Sequence, residues 1–114
     1  MAFDEYLGER IQRILIQRNI PFEEKRMMGG LAFMVDGKMC VGVVRDLLMA
    51  RVGELQYDQA LSSKGAKPMD FTGRPMKGYV FVSPDGVDAE EDLDQWIQLC
   101  LKFNPFAKAS KKKK

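Results

Sequence analysis

The sequence contains no histidine, and this absence excludes several kinds of chemistry. Imidazole is the base of Ser-His-Asp and Cys-His catalytic sites and the commonest neutral metal ligand. The two cysteines, Cys40 and Cys100, are far apart and form no C-x-x-C motif, so neither a zinc site nor a dithiol redox site is indicated. Both lie in apolar patterns, where we expect buried free thiols. The sequence therefore predicts a protein that is not an enzyme and has no catalytic residue, metal site or cofactor.

Motifs that hold phosphates or divalent cations are also missing. The glycines show neither P-loop nor G-x-G-x-x-G spacing. The acidic residues between 85 and 94 lack EF-hand spacing, and acids in a first helical turn have an electrostatic explanation. The eight methionines favour core or partner-facing positions over a copper site. No apolar run approaches the roughly 20 residues of a membrane-spanning helix, and no export signal is visible. These absences predict a cytoplasmic protein.

The net charge of +2 comes from the end of the chain. Without the four lysines at 111–114, 14 basic residues stand against 16 acidic ones, a balance of −2. Such a body has no broad electrostatic footprint for nucleic acid. We predict one domain over residues 1–105 and a flexible, solubilising lysine-rich tail over 106–114. A weak contact of this tail with a polyanion is the open alternative.

The middle of the chain, residues 31–52, predicts three short strands in direct succession. Asp36-Gly37 is a strong signal for a two-residue hairpin, and consecutive strands with short connections form an antiparallel meander. Apolar residues occupy both alternating faces, so cover is expected on each side. In the second strand, strict alternation places Met39, Val41 and Val43 on one face and Cys40, Gly42 and Val44 on the other.

Helical periodicity and further strand signals surround this meander. Asp88 and Glu91 resemble a capping box at the start of the last helix. The fold class is therefore α+β, in two layers, with the order α-β-β-β-β-α-β-α. The elements outside the meander are a helix at 4–18, a polar edge strand at 22–27, a helix at 54–62, a strand at 79–83 and a final helix.

The loop at 66–78 is the strongest candidate for a functional segment, because long irregular loops in small domains are usually functional or disordered. Arg51 lies on an otherwise apolar strand and is expected to have a carboxylate partner, for which Asp70 is the candidate. Two interpretations stay open: a loop fastened by that ion pair, or an interaction or anion site framed by arginines. The candidate site comprises Arg45, Arg51, Asp70, Arg74, Met76 and Lys77.

Four motifs in fixed order carry a family resemblance. The chain resembles the TfoX N-terminal domain family from about residue 27 to residue 103. The motifs are MGGLAF at 28–33, GKMCVGV at 37–43, RVG at 51–53 and DFTGRPMKG at 70–78.

This resemblance implies a two-layer α+β fold similar to secretion chaperones. It also implies regulation of transcription and natural competence alongside a cyclic-AMP-responsive transcription factor, and no catalytic residues. The 114 residues leave no room for the second, C-terminal domain of the TfoX/Sxy regulators. We therefore expect a stand-alone domain that either acts through a partner or has lost the transcriptional role.

The leading hypothesis is a small non-enzymatic module that binds a protein partner, such as a transcription factor. The wide apolar face of the last helix also permits a homodimer. The alternative function is direct binding of nucleic acid through the basic tail and exposed arginines, which predicts a steep dependence on salt. An enzyme that uses the Cys40 thiolate or an arginine-bound anion is the remaining alternative. The reactivity of the Cys40 thiol would test the first of these.

Overall fold

The computed structural model describes residues 3–27, 29–70 and 76–107. The predicted order of elements is confirmed, and a short strand, β5, is added before the last strand. Single 3-10 turns at Pro84–Gly86 and Asn104–Phe106 flank the final helix. The helices and strands are α1 (Glu5–Gln17), β1 (Glu23–Met27), β2 (Gly30–Val35), β3 (Lys38–Val44), β4 (Leu47–Arg51), α2 (Glu54–Leu61), β5 (Ala66–Pro68), β6 (Tyr79–Val82) and α3 (Glu90–Phe103).

The strands form one antiparallel sheet in the order β1-β2-β3-β4-β6-β5. Asp36 and Gly37 connect β2 to β3 with φ angles of 57° and 76°. A type I′ hairpin requires positive φ at both of these positions, so the predicted turn is confirmed. β1 lies at one edge of the sheet, where its charged side chains discourage pairing with other chains.

All three helices contribute to the core on one face of the sheet. The apolar side chains of Leu7, Ile11, Ile14 and Leu15 on α1 are buried there, together with inward residues of α2 and α3. The Asp4 carboxylate caps α1 by accepting hydrogen bonds from the backbone N–H groups of Tyr6 at 3.0 Å and Leu7 at 3.2 Å. Asn19, with a φ of 59°, lies just beyond the end of this helix. The two-layer arrangement thus follows from amphipathic helices that bury their stripes on a sheet.

The opposite face of the sheet carries a second apolar cluster, rich in methionine. Its side chains are at most 9% exposed, so the sheet is apolar and buried on both faces, as the strand pattern predicted. The cluster consists of Ala32, Met34, Met39, Val44, Leu47, Met49, Met69 and Phe81.

The predicted alternation in β3 was wrong at Met39 and Cys40. Phe33 lies opposite Val41, but the next residue, Met34, lies opposite Met39, so Cys40 is an extra residue in the ladder. Such a β-bulge lets neighbouring residues break the strict alternation of faces. Met39 therefore joins the methionine-rich cluster, and Cys40 packs with Val41 in the core beneath the helices.

The predicted capping box of α3 was also wrong. Ala89 occupies the cap position, and no side chain caps the first turn. Instead, Nη2 of Arg10 on α1 donates to the backbone carbonyl oxygens of Val87 at 2.8 Å and Asp88 at 3.3 Å. This contact between α1 and residues 87–88 holds the backbone just before α3 in place. The sequence had predicted a local side-chain cap at this position.

Both cysteines are free thiols in the core, as predicted. Cys40 is 1% exposed and Cys100 is 0% exposed. Burial raises the pKa of Cys40 from 9.0 to about 12, with a small opposing effect of the Arg51 charge. Burial raises the pKa of Cys100 as well, and the nearby Cys40 adds to that rise. Neither thiol is therefore set up to act as a thiolate near neutral pH.

We expect the unfolding free energy to fall as the pH rises from 9 towards 12. A thiol whose pKa is raised by folding stabilises the protein fully below its unfolded pKa, and loses this contribution above it. The loss amounts to about 1.4 kcal/mol per pH unit for each such thiol. Urea denaturation of the wild type and of Cys40→Ala measures this effect, and the variant should show the shallower slope. Equal slopes, or alkylation of the native protein by iodoacetamide at pH 8, would contradict the burial of Cys40.

Candidate functional site

A groove of about 820 Å³ lies where β4 ends, α2 begins and α3 ends. We call it the α2–α3 groove. Three separate segments line it: residues 51–56, residues 77–79, and Lys102, Phe103 and Phe106 at the end of α3. The side chains that characterise it are Arg51, Leu55, Lys77, Tyr79, Lys102, Phe103 and Phe106.

Backbone contacts hold the three segments of the groove together. The carbonyl oxygen of Gly78 accepts hydrogen bonds from the N–H groups of Val52 at 2.8 Å and Gly53 at 3.0 Å. Gly53 has a φ of 86°, and a Cβ at this position would collide with the ring of Phe103. Only glycine satisfies both the left-handed conformation and the close approach of this ring. The floor of the groove is therefore fixed by Gly53, Gly78 and Phe103.

Arg51 lies between two aromatic rings on one side of the groove. Its guanidinium carbon is 5.4 Å from the ring centroid of Tyr79 and 5.8 Å from that of Phe103, within the range of cation–π contacts. Nη1 also donates to the carbonyl oxygen of Met39 at 3.2 Å. These contacts explain how an arginine is accommodated on an apolar strand. The predicted pairing of Arg51 with Asp70 stays a prediction.

Large apolar side chains are exposed at the rim of the groove. Leu55 in the first turn of α2 is 102% exposed, and Phe106 after α3 is 79% exposed. Met76, next to Lys77, is 37% exposed. Among the described residues, the other large hydrophobic side chains with high exposure are Tyr6 and Ile16 on α1. Leu55 and Phe106, the two most exposed of these side chains, therefore both line the groove.

The groove is locally positive. Arg51, Lys77 and Lys102 line it together with a single carboxylate, Glu54, among the described residues. In the described part of the chain, Arg10, Arg18 and Lys38 form ion pairs, whereas neither Lys77 nor Lys102 does. The groove thus combines positive charge with exposed apolar surface, which suits recognition of a partner with carboxylates and apolar side chains.

The structure brings together only some of the residues of the predicted site. Arg51 and Lys77 both line the groove, with Met76 beside them. Arg45 lies at the other end of β4, about 20 Å from Arg51 at the rise of a β-strand, where its carbonyl oxygen accepts the N–H of Asp4 at 2.6 Å. Asp70 is exposed shortly after β5. Arg74 lies outside the described residues.

Sequence reasoning missed the contribution of Leu55, Lys102 and Phe106. Phe103 was recognised only as part of the wide apolar face of the last helix. A cation next to an aromatic residue at the end of α3, followed by Pro105 and a second aromatic residue, was the available signal. It did not show that this end of α3 meets Arg51.

The described side chains that line the groove are charged, aromatic, aliphatic or amide groups. Its described lining includes no serine, threonine, cysteine or histidine. Across residues 3–27, 29–70 and 76–107, no three acidic or thiol side chains gather in a way that could hold a metal ion. The helices of this described part are all too short or too polar to cross a membrane.

The chain is an α+β domain, with an antiparallel sheet, helices on one face of it and a cationic, aromatic groove at one end. The model of the TfoX N-terminal domain family matches residues 15–104, and the chain therefore belongs to this family. The match spans all three segments of the groove except Phe106. No curated protein and no solved structure matches the chain. The family is one of regulatory domains and suggests a competence-related regulatory role.

Replacing Gly53 by alanine should both destabilise the domain and open the groove. The left-handed backbone costs an alanine about 1–2 kcal/mol, and the overlap with Phe103 adds a packing cost of about 1–3 kcal/mol. Gly37→Ala is the matched control, because Gly37 has a φ of 76° but nothing within 4 Å of its Cβ position.

Urea denaturation of the two variants separates the cost of the left-handed backbone from the cost of the overlap with Phe103. Gly53→Ala should lower the unfolding free energy by at least about 1 kcal/mol more than Gly37→Ala does. Equal losses would show that the ring of Phe103 does not pack against Gly53.

Proposed function

We propose that this domain is a small non-enzymatic regulatory module that acts by binding a protein partner in the α2–α3 groove. In keeping with the family's competence-related role, the partner is a component of transcriptional regulation, such as a transcription factor. The observation that carries the proposal is the exposure of Leu55 and Phe106 beside Arg51, Lys77 and Lys102.

Exposed aromatic and aliphatic side chains on a soluble domain mark interaction surfaces when they cluster. Aromatic residues and arginine are also enriched in the centres of protein–protein interfaces, where they contribute most of the binding energy. The groove contains both, on a backbone that the Gly53–Phe103 contact holds in place. A fixed surface loses little conformational entropy when a partner binds, which favours affinity.

A protein partner suits the charges better than nucleic acid does. The described residues carry twelve basic and sixteen acidic side chains, a balance of −4, and such a body repels a polyphosphate outside the groove. The alternative of nucleic-acid binding depends largely on the lysines of residues 108–114, which lie outside the described residues.

Site-specific photo-cross-linking tests the proposal. Phe106→p-benzoylphenylalanine and Leu55→p-benzoylphenylalanine, introduced into the full chain in cells of its host, should each give the same polypeptide adduct, identified by mass spectrometry. Ile16, on α1 and 60% exposed, is the control position of comparable exposure, and the same substitution there should not give this adduct. Adducts that are equal at all three positions, or none at Leu55 and Phe106, would overturn the proposal.

Deleting residues 108–114 tests the alternative function. If the domain acts on a protein partner through its groove, this deletion leaves the adduct at Phe106 unchanged. Binding of a DNA duplex in a mobility-shift assay, with a steep salt dependence that is lost on deletion, would instead favour the tail as a nucleic-acid contact.

A further inference from the structure

We infer that the α2–α3 groove recognises a short acidic segment of a protein that also carries aromatic or aliphatic residues. This inference rests on the proposed function and specifies the chemistry of the partner. Four described features of the groove carry it: positive charge from separate elements, lysines without ion pairs, exposed apolar side chains and a fixed floor.

The positive charge of the groove comes from three segments that are distant in the sequence. Arg51 ends β4, Lys77 precedes β6 and Lys102 lies in the last turn of α3. Against these three cations the described lining places one carboxylate, that of Glu54. The described body as a whole carries a balance of −4, so this surface is positive within a negative domain. Such a local reversal of sign steers an acidic ligand to one place on the surface.

Lys77 and Lys102 carry the electrostatic part of the inference. Both residues are exposed, and no ion pair of the described residues includes either of them. An acidic segment can therefore pair with them without displacing an internal carboxylate among the described residues. Arg51 adds positive charge from a position that Tyr79 and Phe103 fix.

The apolar part of the ligand has its own contacts. Leu55 and Phe106 extend from α2 and from the turn after α3, and both expose most of their surface. Burial of apolar surface contributes roughly 25 cal/mol per Å², whereas an exposed ion pair adds little. A purely acidic peptide would leave these side chains in water. The ligand must therefore combine carboxylates with aromatic or aliphatic side chains.

A single-stranded nucleic acid fits this groove less well. Sequence-tolerant binding of bases needs open aromatic faces for stacking. The rings of Tyr79 and Phe103 already contact the guanidinium of Arg51. The ring of Phe103 also packs against Gly53. Among the described aromatic residues of the groove, Phe106 is therefore the one left largely exposed, and a single ring does not stack successive bases.

Selection from random peptides tests the inference without knowledge of the natural partner. Phage-displayed 12-residue peptides are panned against the immobilised full chain, and the best binder is labelled with fluorescein for anisotropy titration. We expect the enriched peptides to be rich in Asp and Glu and to contain Phe, Tyr, Trp, Leu or Ile. Reversing two rim charges with Lys77→Glu/Lys102→Glu should weaken binding about tenfold or more.

The matched control makes the same charge change elsewhere. Lys25 on β1 and Lys64 after α2 are exposed and do not line the groove, so Lys25→Glu/Lys64→Glu should change the Kd by no more than about twofold. Phe106→Ala should weaken binding several-fold with little change in its salt dependence. Since all of these side chains are exposed, the variants should fold, and thermal unfolding checks this. If Lys77→Glu/Lys102→Glu does not fold, Lys77→Gln/Lys102→Gln replaces it in the binding measurement.

Three results would overturn the inference: enrichment of neutral or basic peptides, no enrichment at all, or equal binding to both charge-reversal variants. An adduct at Phe106 whose yield is undiminished in Lys77→Glu/Lys102→Glu would also overturn the inference, and would leave the proposed function standing. The proposed function fails separately, through the absence of adducts at Leu55 and Phe106.

Discussion

The contact between the Gly53 backbone and the ring of Phe103 is the constraint on which the functional end of this domain depends. It joins the start of α2 to the last turn of α3, and the Gly78 carbonyl adds the segment before β6 through two hydrogen bonds. Because a side chain at position 53 would push Phe103 away, the same contact also sets the distance between Phe103 and Arg51. The groove, its charges and its aromatic rings all follow from this junction.

The sheet gives this junction a rigid base. Its central strands β2, β3, β4 and β6 are buried on both faces, beneath the helices on one side and in the methionine-rich cluster on the other. The bulge at Cys40 turns Met39 towards the methionine-rich face, and the carbonyl oxygen of this same Met39 accepts a hydrogen bond from Arg51. An irregularity in the middle of the sheet thus contributes to the position of a side chain in the groove.

Much of the fold could be predicted from the sequence because its signals are local. Asp36-Gly37 specifies the hairpin, Asp4 specifies the start of α1, and the patterns around Cys40 and Cys100 indicate buried thiols. The position of the bulge at Cys40 could not be predicted, because one extra residue in an apolar strand changes neither composition nor overall pattern.

The candidate site was predicted only in part, since its residues lie up to about fifty positions apart and meet only through tertiary packing. Arg45 and Arg51 were grouped by residue type, although β4 separates them along its length. Lys102 and Phe106 could be recognised as members of the site only once the end of α3 had been placed beside β4.

The central claim is that the α2–α3 groove is the surface through which this domain meets its partner. Amide hydrogen exchange of the full chain, free and bound to the protein recovered by cross-linking, tests this claim most directly. The account predicts that binding slows exchange in residues 51–56 and 102–106, with no change in β1 at the far edge of the sheet. Slowed exchange confined to β1 or to residues 108–114 would contradict it.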